Sequence, residues 1–195
     1  MDSHVRLTVG VVGAGAMGSG IALVAASAGH AVILADVDAR AVDRARDSMR
    51  QSLARDVGKG RVSQDAADTT LARVIGADAT AAGIDAFADC GVVIEAVLED
   101  LAAKRELFSA LERVVRDGCI LATNTSSLSI AAIAGGCRRP DRVIGVHFFN
   151  PAPVMPLVEI VPGIATDAEV TGRARSLVYR NLPPFLLSSL PQPAL

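Results

Sequence analysis

Short apolar runs alternate with amphipathic stretches along the chain, and that alternation predicts an α/β fold. Residues 7–12 are mostly β-branched and lead into Gly13, as a central strand buried on both faces would. Residues 16–28 are small and apolar and stop at Gly29, which suits a helix with a glycine just past its end. Residues 31–35 (AVILA) read as the next strand, so the opening segment forms a βαβ unit with parallel strands. From 39 to 57 the period becomes helical: Val42, Ala45, Met49 and Leu53 recur every three or four positions among Arg and Asp. A second helix is predicted from Ser63 to just before Val74. A short strand over 74–77 and a firmer one over 92–96 follow. Leu101, Phe108, Leu111 and Val115 mark the buried stripe of a helix ending at Asp117-Gly118. A strand at 119–122, a short helix at 128–134 and a strand at 143–146 come next. Pro151, Pro153 and Pro156 hold an extended connection before a last strand at 157–161. The expected architecture is a doubly wound, mostly parallel sheet with helices on both faces. No repeat of solenoid period is present.

The last stretch breaks this pattern. Residues 181–195 carry no charge, hold four of the nine prolines, and read as neither strand nor helix. Composition narrows the function classes. With 51% hydrophobic residues in 195, the chain is too apolar for disorder and long enough for a substantial core. Lys and Arg number 19 against 21 Asp and Glu, so no basic excess points to nucleic acid or an anionic membrane. One Tyr and no Trp argue against an aromatic-lined nucleic-acid or glycan surface. Cys90, Cys119 and Cys137 are odd in number and widely spaced, which favours free thiols in a reducing cytoplasm over disulfides or zinc. Residues 7–35 lack any Asp, Glu, Lys or Arg and could pass for a membrane span or signal peptide. Gly10, Gly13, Gly15, Gly18 and Gly20 break that run, and the soluble βαβ reading explains the same composition.

Gly13-Ala14-Gly15-Ala16-Met17-Gly18 is a GxGxxG that follows a strand and opens a helix. The first glycine permits the tight turn, the second lets backbone approach a pyrophosphate, and the third lets helix pack on strand. The helix N-terminus then offers unpaired N–H groups to phosphates. Asp36, ending the next strand 18 residues after Gly18, suits hydrogen bonds from an adenosine ribose diol. It would repel a 2′-phosphate, so NAD is expected over NADP. Asp38 is the better cap for the following helix.

Two later segments carry chemistry. Asn124-Thr125-Ser126-Ser127 follows a buried strand at the carboxyl edge of the predicted sheet, where ligands of such folds bind. Ser127 is read there as the cap of the helix at Leu128. His147 ends another strand within HFFNP, and Glu159 lies twelve residues on. If the strands on either side of the proline turn are neighbours, Glu159 comes back beside His147. A carboxylate there fixes the imidazole tautomer and stabilises its protonated form.

Taken together, the glycine turn, Asp36, NTSSL and HFFNP with Glu159 resemble the 3-hydroxyacyl-CoA dehydrogenase family, from about Leu7 to Ile160. The resemblance implies a Rossmann-like NAD-binding domain and NAD-dependent interconversion of L-3-hydroxyacyl-CoA and 3-ketoacyl-CoA. It implies His147 as base, Glu159 as its partner, and Ser126 bonded to the substrate oxygen near the nicotinamide. Asn150, Glu99 and Lys104 fall where the family contacts NAD, although a helix-surface acid and base explain the last two equally. Ser52 and Lys59 match its coenzyme A contacts, in a segment where Arg50, Arg55, Lys59 and Arg61 are set against only Asp56, although a solvated helix face explains that segment equally. By the resemblance, the family's helical C-terminal domain, with most of its dimer surface, is expected to be absent from this chain. After Thr171 its last Rossmann strand is expected to give way to the uncharged tail. Residues 1–180 are therefore expected to form the NAD-binding domain and 181–195 an atypical tail, with self-association and weak or no activity. A β-hydroxyacid dehydrogenase of the 6-phosphogluconate type, or a non-catalytic NAD-binding protein, is the alternative.

Overall fold

The computed structural model describes residues 6–80, 83–181 and 186–189. Among the described residues, eight strands form one sheet: β1 (Thr8–Val12), β2 (Ala31–Asp36), β3 (Val74–Asp78), β4 (Val92–Glu95), β5 (Ile120–Thr123), β6 (Val143–Phe148), β7 (Leu157–Pro162) and β8 (Leu186–Ser189). Their order is β3-β2-β1-β4-β5-β6-β7-β8. Pairing is parallel from β3 through β6, antiparallel between β6 and β7, and parallel again between β7 and β8. The helices are α1 (Ala16–Ser27), α2 (Ala39–Gly58), α3 (Gln64–Ala72), α4 (Leu101–Val114), α5 (Ile130–Ala134) and α6 (Ala168–Asn181).

Side-chain alternation along the strands divides the core into two. Val9, Val11, Val32, Leu34, Val92, Ile94, Ile120 and Ala122 pack beneath α1, α2, α3 and α6. Val12, Val93, Leu121 and Val143 pack on the other face beneath α4 and α5, with Phe87, Phe108, Leu111 and Ile133. Near-continuous apolar runs are what strands covered on both faces require. Helix starts follow local chemistry: Asp38, Ser63 and Asp100 cap α2, α3 and α4 by accepting from the N–H groups of Arg40, Ala66 and Ala103.

The chain end differs from expectation. Residues after Thr171 continue as α6, whose Val170, Ala174, Leu177 and Val178 are buried against the sheet. Leu186–Ser189, within the stretch expected to carry no element, adds β8 alongside β7. Two leucines and two serines between prolines give too short a run to signal a strand, and pairing with β7 supplies what local pattern lacks. The rest of the expected tail, 182–185 and 190–195, lies outside the described residues. Among the described residues, no helix is long and apolar enough to cross a membrane.

Candidate functional site

The strand order reverses between β1 and β4, which opens a crevice at their carboxyl ends. The predicted site residues other than Ser52 and Lys59 gather along that edge. Gly13 turns the chain out of β1 at a φ of 100°, and a Cβ there would stand 2.5 Å from the Ala96 carbonyl oxygen. A Cβ on Gly18 would sit 1.7 Å from the Gly13 carbonyl oxygen, so α1 can lie this close to the turn only with glycine. Gly15 is different, because nothing lies within 4 Å of the Cβ it lacks. That open space sits at the start of α1, whose first turn holds no acid and whose cap has no side-chain hydrogen bond. Ala14 is buried, while Ala16 is exposed and Met17 half-buried beside the core. Asp36 ends β2 and accepts hydrogen bonds from Ala14 N–H at 2.7 Å and Asp38 N–H at 3.0 Å. An open backbone cradle at a helix N-terminus, tied to a carboxylate on the neighbouring strand, fits a dinucleotide.

Across the crevice, β4 and β5 end in a buried charged cluster. Lys104 is 1% exposed, and its Nζ donates to Glu95 Oε1 at 2.7 Å and pairs with Glu99 Oε2 at 3.0 Å. The helix-surface reading of Lys104 is therefore corrected. Its position three after Leu101 and four before Phe108 sets it on the buried stripe of α4, which the sequence itself displays. Glu95, fully buried, is not among the residues that the sequence singles out. A lone acid closing the apolar run VVIE was the available signal. Its Oε1 also accepts from Val97 N–H at 2.7 Å and its Oε2 from the Thr123 hydroxyl at 2.6 Å.

Glu99, at the rim, accepts from the Thr125 hydroxyl and from the Ser127 hydroxyl at 3.0 Å. Burial pushes its carboxyl up, but hydrogen bonds from Thr125, Lys104 and Ser127, with the Lys104 charge, outweigh this and hold it at about 2. Ser127 consequently ties the loop to Glu99, and the cap of α5 is Ser129, which accepts from Ala132 N–H. Thr125 is buried and its oxygen accepts from Leu128 N–H at 3.0 Å, leaving Ser126 exposed at the loop's outer side.

His147 and Glu159 face each other in register across the antiparallel β6–β7 pair, with His147 Nδ1 2.9 Å from Glu159 Oε2. The Phe149 ring leans on the imidazole, 4.7 Å between centroids. Asn124 joins this strand to the neighbouring loop, its Oδ1 accepting from Phe148 N–H at 2.8 Å. Asn150 is exposed just beyond and precedes Pro151 through a cis peptide bond. Ser52, half-buried, and Lys59, exposed, lie at the far end of α2. No hydrogen bond among the described residues joins them to this cluster. Arg50 and Arg61, from the same basic segment, are paired with Asp47 and Asp56.

Residues 8–181 match the family model described as 3-hydroxyacyl-CoA dehydrogenase, NAD binding domain. The 3-hydroxyadipyl-CoA dehydrogenase of Escherichia coli K12 is 48% identical over 163 residues, covering 84% of this chain and 34% of the relative. The 3-hydroxybutyryl-CoA dehydrogenase of Bradyrhizobium diazoefficiens is 45% identical over 159 residues, covering 82% and 53%. Among solved structures, 3-hydroxybutyryl-CoA dehydrogenase from E. coli K12 superposes with a TM-score of 0.90 at 43% identity, covering 96% of this chain and 38% of that one. The chain spans between a third and about half the length of these relatives.

Proposed function

The chain belongs to the 3-hydroxyacyl-CoA dehydrogenase family, and on that premise we propose that it forms the cofactor-binding, proton-transferring half of an enzyme interconverting L-3-hydroxyacyl-CoA and 3-ketoacyl-CoA. The observation that carries this reading is the His147–Glu159 pair at 2.9 Å, at the carboxyl edge of the sheet and beside the Asn124–Ser127 loop. Family membership decides against the 6-phosphogluconate type of β-hydroxyacid dehydrogenase.

Asp36 holds the adenosine ribose, and the backbone from Gly13 to Gly18 receives the pyrophosphate. Glu99, Ser126 and Asn150 then lie toward the nicotinamide half, with Lys104 behind Glu99. NAD, when bound, supplies the hydride acceptor for oxidation, and NADH the donor for reduction.

Everything else is proton placement. Hydride leaves C3 only as its hydroxyl proton is removed. The His147 Nδ1–H donates to Glu159, which leaves Nε2 as the lone pair that takes that proton. The Glu159 carboxylate stabilises the resulting imidazolium and keeps the ring in orientation. Ser126 donates to the substrate oxygen and so favours the developing alkoxide. Ser52 and Lys59 receive the phosphate-bearing coenzyme A tail. The three unpaired thiols accord with a cytoplasmic setting.

The test is single-turnover reduction of acetoacetyl-CoA by bound NADH, at stoichiometric protein, in the unaltered chain and in His147→Gln. Slow hydride transfer is expected in the first and a rate lower by roughly 10²–10⁴-fold in the second, with NADH affinity unchanged. Glu159→Gln should fall between them, because it orients the base without carrying the proton. Equal rates in the unaltered chain and the His147 variant would remove the acid–base assignment.

A further inference from the structure

The site described so far makes no use of Glu95, yet this carboxylate is fully buried at the end of β4 with both oxygens engaged. An ionised group in such a position is costly unless it is paired, and here the pairing is with Lys104, which is equally buried. Glu95 and Thr123 are register partners on neighbouring strands, on the face covered by α4, from which the lysine descends. The Asn124 N–H donates to the Glu95 carbonyl at 2.8 Å, so the loop after β5 starts from the same residue. Lys104 is in turn 3.0 Å from Glu99, whose other oxygen takes the Thr125 and Ser127 hydroxyls.

Charge counting gives this arrangement its consequence. Two carboxylates share one ammonium. The inner one, Glu95, is beyond reach of any ligand, and the outer one, Glu99, has a side chain 38% exposed at the crevice rim. Without Glu95, Lys104 would neutralise Glu99; with it, the cluster keeps one negative charge at the rim. We infer that Glu95 is a positioning residue: it neutralises Lys104, fixes Glu99 and the 124–127 loop, and leaves Glu99 charged beside the nicotinamide half of the cleft. This rests on the cofactor orientation proposed above, with adenosine at Asp36 on β2 and the other half across the switch point over β4 and β5.

The oxidised nicotinamide ring carries a positive charge and the reduced ring none. A fixed negative charge at the rim therefore favours NAD+ relative to NADH, by an amount that does not depend on the shared pyrophosphate and adenosine.

The experiment measures dissociation constants for NAD+ and NADH by calorimetry on the 195-residue chain, with no substrate present, and follows their ratio. Glu99→Gln and Glu95→Gln should each raise Kd(NAD+)/Kd(NADH) by roughly three- to tenfold, the scale of one partly screened charge several ångströms away. The deciding variant is Glu95→Gln combined with Lys104→Met, which restores a single negative charge on Glu99 while removing the buried pair. Its ratio should return to that of the unaltered chain. A merely structural role predicts the opposite, a double variant at least as disturbed as Glu95→Gln. Glu99→Gln, at the rim, keeps the test open if the buried substitutions unfold the protein. An unchanged ratio in Glu99→Gln overturns the inference while leaving the cofactor site intact. Failure of the unaltered chain to bind either cofactor overturns both.

Discussion

Glu99 is held ionised by two hydroxyl donors, Thr125 and Ser127, and by the buried Lys104 ammonium, and this sets how its contribution to stability varies with pH. Its carboxyl lies at about 2 in the folded chain against an ordinary 4.5. A depressed folded value means stabilisation that is complete above the unfolded value and is lost as pH falls through the folded one. Comparing the unaltered chain with Glu99→Gln by urea unfolding should show a constant difference above pH 4.5 that shrinks toward zero near pH 2. Because the side chain is more than a third exposed, the difference should stay within about 1 kcal/mol. A difference that grows on acidification would mean that Glu99 is not held by these donors. The thiols lie at the other extreme: burial pushes Cys90 to about 12 and Cys119 to about 11. Both should resist alkylation by iodoacetamide at pH 8 until the chain is unfolded, since the thiolate is the reacting form. Rapid labelling in the native chain would contradict the packing around them.

At the level of elements, the glycine turn separates packing from binding. Gly18→Ala forces a Cβ to within 1.7 Å of the Gly13 carbonyl oxygen, so β1 and α1 must part. It should lower both the melting temperature and NADH affinity. Gly15→Ala meets nothing within 4 Å, so the fold should tolerate it, while the methyl group stands in the space proposed for the pyrophosphate. A melting temperature within a degree or two of the parent, with NADH affinity reduced about tenfold or more (~1.4 kcal/mol), is the expected result. Unimpaired NADH binding in Gly15→Ala would mean that the phosphates lie elsewhere. Elements of this kind were legible in the sequence because period and punctuation agree: β-branched runs, glycines at their ends, and Asp38 and Ser63 where helices begin. The His147–Glu159 pairing was legible for the same reason, since a strand, a proline turn and a second strand imply an antiparallel neighbour. Ser129 rather than Ser127 caps α5 because Ser127 is drawn to Glu99, a tertiary contact no local pattern reports. The leucine-serine strand β8 is not legible in the sequence because an edge strand of four residues takes its structure from the strand beside it.

For the whole molecule, the feature of note is where apolar surface remains. Leu98, Val154 and Met155 are exposed on loops along the same carboxyl edge that bears the site. Exposed apolar side chains on loops of this kind favour association. We expect sedimentation to show concentration-dependent self-association that weakens in a Leu98→Asp, Val154→Asp double variant. A monomer at every workable concentration would contradict that. The sheet and the helices on both of its faces enclose their own core, so cofactor binding should need nothing beyond this chain.

Titration of NADH and NADPH into the unaltered chain, followed by the fluorescence of the reduced nicotinamide, tests the account most directly. The absence of tryptophan leaves that signal free of indole emission. Saturable NADH binding is expected, roughly tenfold or more tighter than NADPH (~1.4 kcal/mol), because the role proposed for Asp36 at the end of β2 is to accept from a ribose diol, where it would repel a 2′-phosphate. Asp36→Ala should weaken NADH and narrow that gap. No saturable NADH binding, or NADPH bound as tightly as NADH, would contradict the account.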